Sequence, residues 1–132
     1  MISKGTTLRI ARPTDNLTSV AEMYHKGLGF DILARFENHE GFDGIILGNP
    51  RENYHLEFTH HRGISVGQAP TSDNLLVFYI PDKEEWEQSC FRLQSSGFIQ
   101  VPSYNPYWDE HGKTFKDLDG YRVVLQYSEW RV

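Results

Sequence analysis

Apolar and polar side chains alternate along this chain in two rhythms, one of period two and one near 3.6, which separate strands from helices. Residues 6–11 set Leu8 and Ile10 against Thr7 and Arg9, as a half-buried strand does, and Arg12-Pro13-Thr14-Asp15 ends the run with turn and cap chemistry. Leu17, Val20, Ala21, Tyr24 and Leu28 then recur at helical spacing, and Gly27 and Gly29 supply stop signals. Residues 30–37, 42–47 and 54–59 predict three more strands, divided by the polar loop Asn38-His39-Glu40-Gly41 and by the turn-rich stretch 48–53. Residues 62–73 collect Gly, Ser, Pro, Gln and Thr without a period, the composition of a connector. A strand follows at 75–80. Asp82 then stands as an N-cap with Glu85 three positions on, opening a second helix that carries Trp86, Cys90 and Leu93 on one stripe. A strand at 98–101 and a loop at 102–109 lead to the stretch 112–127, a hairpin reversed by Asp117-Leu118-Asp119-Gly120.

The order is β, α, β, β, β on each side of the connector, and landmarks repeat at one offset. Gly29-Phe30 recurs as Gly97-Phe98, 68 residues later, and the first strand maps onto Leu76 to Phe78 at the same shift. The predicted class is α+β, with two tandem βαβββ modules forming a concave mixed sheet and helices on its outer face. Module one takes in about residues 5–61, the connector 62–73, and module two about 74–128. In the last strand Tyr121, Val123, Leu125 and Tyr127 point one way, and Arg122, Val124 and Gln126 the other.

Length and composition narrow the class. A chain of 132 residues suits one domain spanning 1–132, and a hydrophobic fraction of 39% with 14% aromatics supplies a core. A formal charge of −5 without a basic run argues against a nucleic-acid partner. No apolar run approaches the ~20 residues that span a bilayer, and the first residues lack the apolar core of a secretory signal, so a cytoplasmic protein with no membrane partner is expected. Cys90 is alone and sits on a helix face, where a buried, inert thiol is expected rather than a nucleophile.

Several short motifs fall in order along the chain: Tyr24 with Leu28-Gly29-Phe30, then Leu56-Glu57-Phe58, Ile80-Pro81-Asp82 and Asp117-Leu118-Asp119-Gly120-Tyr121. With these the chain resembles the vicinal oxygen chelate superfamily of glyoxalases, extradiol dioxygenases and bleomycin and fosfomycin resistance proteins. The family usually has Pro where Leu118 stands, a change that costs turn rigidity. The resemblance implies a homodimer. In metal-dependent members it also implies a divalent ion held by His, Gln or Glu from strands one and four of each module. Carried over by register, those positions are Gly5, Glu57, Leu75 and Val124, of which only Glu57 is a metal ligand. One carboxylate is too few for a specific site, so no metal cofactor is expected.

What remains on the predicted concave face is a mixture of Arg9, His55, Glu57, Tyr79, Arg122 and Gln126 with apolar Leu75, Val77 and Val124, a make-up suited to a small-molecule pocket. Arg9 and Arg122 offer planar forks to a carboxylate or phosphate, or else pair with Glu57 internally or lie at the rim. Tyr107 and Trp108, in a loop rich in aromatics, either close the cavity mouth and stack on planar ligands or pin the loop to the core or a dimer partner. His55 and His61 share the face of Glu57 while His60 points away. The expected function is binding of a small organic ligand, anionic or aromatic, without a catalytic metal. The alternative is a glyoxalase- or dioxygenase-type enzyme with a divalent metal on Glu57, His55 and rearranged histidines, Glu57 being the one candidate catalytic group.

Overall fold

Leu56 and Phe58 point to one side of their strand and are buried, while His55, Glu57 and Thr59 point to the other and keep partial exposure. That alternation, repeated strand by strand, organises the molecule. The computed structural model describes residues 1–131. Its elements run β1 (Leu8–Pro13), α1 (Leu17–Leu28), β2 (Asp31–His39), β3 (Phe42–Gly48), β4 (Tyr54–His61), β5 (Leu75–Tyr79), α2 (Lys83–Ser95), β6 (Ile99–Val101), α3 (Tyr107–Glu110), β7 (Gly112–Lys116) and β8 (Arg122–Gln126). The strands form two four-stranded mixed sheets of matching topology, β1-β4-β3-β2 and β5-β8-β7-β6. In each, the first strand of the module runs parallel to the last and the remaining pairs are antiparallel. The βαβββ repeat is therefore present.

The chain forms two compact units, one of Met1–His25 with Gly29–Gly67 and one of Lys26–Leu28 with the chain from Gln68 onward. In the first, Val20 and Tyr24 of α1 are fully buried, and the Tyr24 ring lies 5.0 Å from that of Phe58. Ile45, Leu47 and Leu56 complete this side of the core, and burying each such side chain contributes roughly 1.5–3 kcal/mol. Asp15 fastens the start of the connector. Its carboxylate accepts from the Val66 and Gly67 amides at 2.9 and 2.8 Å and from the Ser65 hydroxyl at 3.0 Å.

In the second unit Asp82 caps α2 by accepting from the Glu85 amide at 2.9 Å, and Trp86 donates its indole N–H to the Leu125 carbonyl at 2.9 Å. The hairpin turn is built on Asp117. Its carboxylate accepts from the Asp119 and Tyr121 amides at 2.8 and 3.0 Å, and Gly120 takes φ +89°, a conformation that favours glycine. The connector docks here through Ala69, whose amide donates to the Asp119 carbonyl at 2.7 Å.

Two expectations change. The first strand begins two residues later than its alternation suggested and continues through Pro13, which β1 tolerates because it is the edge strand of its sheet. The stretch 102–109 is not wholly a loop, since α3 forms a single helical turn within it.

Candidate functional site

The sheet of the first unit presents its open face opposite α1. Register places Arg9 beside His55 and Ala11 beside Glu57 in the parallel pair β1–β4, and Ile46 and Gly48 beside Glu57 and His55 in the antiparallel pair β3–β4. Paired residues share a face, so these side chains converge. Arg9 donates its Nε–H to His55 Nδ1 at 3.2 Å and holds Nη1 3.8 Å from Glu57 Oε1. The guanidinium thus lies between an imidazole nitrogen and a carboxylate oxygen. Its side chain is 45% exposed and that of Glu57 15%, so the trio is accessible without being fully solvated.

Small residues keep the surroundings clear. A Cβ at Gly48 would lie 2.8 Å from that of His55, and one at Gly44 would strike the Phe36 ring at 2.2 Å. By register Ala11, Ala34 and Ile46 lie on the same face, as does Phe36, which pairs with Gly44. Sequence reasoning named Arg9, His55 and Glu57 and missed this floor, although the alternation Gly44, Ile46, Gly48 marks a strand face on which another group comes close.

The corresponding face of the second unit is engaged by its own chain. Arg122, Val124 and Gln126 share it with Tyr79, which pairs with Gln126, and with Thr114. Gln126 is buried and donates its amide to the Trp108 carbonyl at 2.9 Å, while Arg122 Nη1 donates to the Pro102 carbonyl at 3.1 Å. Ser103 bonds to buried Thr114 across the sheet, and Asp109 accepts from the amide and hydroxyl of Ser103, both at 3.0 Å. The segment 102–111 is therefore strapped to the face it was expected to border. Tyr107 stands outward, edge-on to half-buried Trp108 at 5.1 Å. Of the eight predicted ligand-facing residues, Arg9, His55 and Glu57 are brought together, and Arg122, Gln126 and Trp108 hold the strap.

The donor set does not match what a divalent ion takes. Gly5 precedes β1, and the residue of β1 that reaches Glu57 is Arg9, a cation. Leu75 and Val124 offer no donor atom, and among the described residues no group of three His, Cys, Asp or Glu is placed to hold an ion. His60 points away from Glu57, as parity predicted, with Nδ1 3.0 Å from the Thr14 carbonyl. It borders an opening of about 370 Å³ with Asp15, Arg35, Asp43 and Arg62. Asp15 and Asp43 are already satisfied. The Val66 and Gly67 amides hold Asp15 below the usual carboxylate range, and Arg62 with the Asn38 amide does the same for Asp43. Cys90 is buried, and loss of solvation pushes its thiol up to about 11, which suits packing and not nucleophilic attack.

Comparison with known proteins identifies the family and the fold. Residues 8–59 match the family model of the YycE-like N-terminal domain, and residues 73–127 that of the YycE-like C-terminal domain. The chain is 41% identical over 122 residues to YycE of Bacillus subtilis (strain 168), covering 92% of this chain and 88% of that protein. A crystal structure of B. subtilis YycE superposes with a TM-score of 0.88 at 39% identity, covering 97% and 93% of the two chains. The fosfomycin resistance protein FosX of Mesorhizobium loti superposes at 0.71 with 12% identity, covering 98% and 94%. TnmS3, an antibiotic-binding protein of Streptomyces sp. CB03234, does so at 0.63 with 21% identity, covering 96% and 97%. The last two share the fold.

Proposed function

We propose, for a chain that belongs to the YycE-like family and has the vicinal oxygen chelate fold, that it binds a small organic molecule on the open face of its first sheet without a catalytic metal. One observation carries this reading: Arg9, His55 and Glu57 converge on a partly exposed face floored by small residues. Stability alone gives little reason for such a cluster. An ion pair at 3.8 Å with this exposure is worth about 0–1 kcal/mol, and three polar groups on one stretch of sheet cost more desolvation than apolar residues would.

The same trio sets the ligand's chemistry. A guanidinium and an imidazole N–H favour an anionic group, and the apolar floor with the Phe36 ring favours a planar or aliphatic body. TnmS3 is an antibiotic-binding protein on the same fold, which makes sequestration of a small molecule a role the architecture accommodates. Binding requires no bond to be made or broken. Glu57 as a general base would need a second catalytic group, and the side chain that reaches it is the Arg9 guanidinium, 3.8 Å away, which has donors only.

The experiment is a thermal-shift screen of aromatic and anionic metabolites, with hits quantified by calorimetry. Hits weakened at least tenfold by Arg9→Ala are expected, as loss of a charge-assisted hydrogen bond of about 1.5–3 kcal/mol implies. Hits that Arg9→Ala and Glu57→Gln both leave unchanged would place the ligand elsewhere and overturn the assignment.

A further inference from the structure

The detail of the Arg9 contacts carries a more specific conclusion, which rests on the reading of this face as the ligand site. A guanidinium has only donors, so the contact from Arg9 Nε to His55 Nδ1 at 3.2 Å requires a lone pair on Nδ1. The neutral His55 ring therefore carries its proton on Nε2. Arg9 also directs Nη1 toward Glu57 Oε1 at 3.8 Å. An imidazole nitrogen and a carboxylate oxygen, both groups suited to grip a cation, turn to the guanidinium. We infer that Arg9 is a resident cation, fixing the tautomer of His55 and offsetting the charge of Glu57, and that the trio recognises an oxyanion with a neighbouring hydroxyl or amine.

The roles divide by donor and acceptor capacity. Arg9 keeps N–H groups beyond the two it uses internally, and His55 presents Nε2–H, so both donate to a carboxylate, phosphate or phosphonate oxygen. Glu57 is acceptor-only when ionised and would repel a bare anion. Next to Arg9 its charge is offset, and its remaining lone pairs suit a donor on the ligand adjacent to the acid group. Gly48 serves this arrangement by leaving space opposite His55, where a Cβ would come within 2.8 Å. Arg9 is a specificity-determining residue on this account, and His55 a hydrogen-bond donor rather than a base.

The test uses the intact chain and reads the imidazole directly. Nitrogen-15 spectra of the histidine rings at pH 8, with His55 assigned through its loss in His55→Gln, are expected to show the His55 proton on Nε2, and a tautomer mixture in Arg9→Met. Titration with inorganic phosphate, glycolate and acetate follows on the same signals. Phosphate and glycolate should move the His55 Nε2 and Arg9 Nε resonances saturably and acetate less. The response should vanish in Arg9→Met, return in part in Arg9→Lys, and lose its preference for glycolate over acetate in Glu57→Gln.

Circular dichroism and the urea midpoint establish that each variant is folded. A proton on Nδ1 of His55 in the wild type would overturn this inference while leaving small-molecule binding on the face intact. An Nε2 tautomer with no saturable response to any of the three anions would overturn the oxyanion class. Screening hits that leave both resonances unmoved would overturn the site itself.

Discussion

Replacing Gln126 by Leu tests whether the strap over the second sheet is held by side chains or merely rests there. Leu nearly matches the volume of Gln, so packing is preserved while the 2.9 Å bond from the Gln126 amide to the Trp108 carbonyl is lost. Gln126 is 4% exposed, so the carbonyl is left in a place that water does not readily reach. Removing one partner of such a bond costs about 1–3 kcal/mol. The other tethers persist: Arg122 to the Pro102 carbonyl at 3.1 Å, the Ser103 hydroxyl to that of Thr114, and the Tyr127 amide to the His111 carbonyl at 2.7 Å. The loss should fall on the opening of the segment around α3, raising its opening constant about 5- to 150-fold. Native-state hydrogen exchange reads this at the Trp108 and Asp109 amides, which bond to the Asn105 and Pro106 carbonyls at 3.2 and 3.0 Å. They should exchange faster by that factor while amides of β7 and β8 change far less. Unchanged exchange at Trp108 and Asp109, or an equal rise throughout β7 and β8, would refute the strap.

Other consequences can be measured on the same protein. Gly44→Ala forces Phe36 aside, since the new Cβ would lie 2.2 Å from its ring, and should lower stability by about 1–3 kcal/mol in urea denaturation. Asp15 has a depressed pKa in the folded state because it accepts amides of Val66 and Gly67. Its contribution is present above the unfolded carboxylate value near 3.9 and is lost as pH falls through the lower folded value. Exchange of the 65–67 amides should accelerate over that acidic window in the wild type, and Asp15→Asn should flatten the dependence. Cys90, with its thiol pushed up to about 11 and its side chain buried, should resist a disulfide reagent at pH 8 in the folded protein and react promptly in denaturant.

The sequence made some features legible because they are local. Asp117 to Gly120 announces its turn through an Asx bond and a positive φ, Asp82 announces its cap, and the alternation through Leu56-Glu57-Phe58 separates core from open face. Features that depend on distant partners were hidden. Nothing near Gln126 or Arg122 says that carbonyls 18 and 20 residues back will take their donors, so both looked like free ligand groups. The end of β1 was misplaced because Pro13, with no amide to donate, reads as a terminator, although an edge strand paired on one side only tolerates it. Gly5, carried over by family register, lies outside the strand under either set of bounds, and Arg9 is the residue of β1 that meets Glu57. α3 is one turn long, too short for a 3.6-residue period, and depends on Asn105 bonding its side chain to the Tyr107 amide at 3.1 Å.

The central claim is that Arg9, and not a metal ion, is the cation partnering Glu57 and His55. Calorimetric titration of chelator-treated protein with zinc, nickel, manganese and iron(II) addresses it most directly, because a carboxylate and an imidazole that already share a guanidinium make a poor divalent site. No stoichiometric binding is expected in the wild type, and none that depends on Glu57. One equivalent of metal bound tightly, and lost in Glu57→Gln, would contradict it.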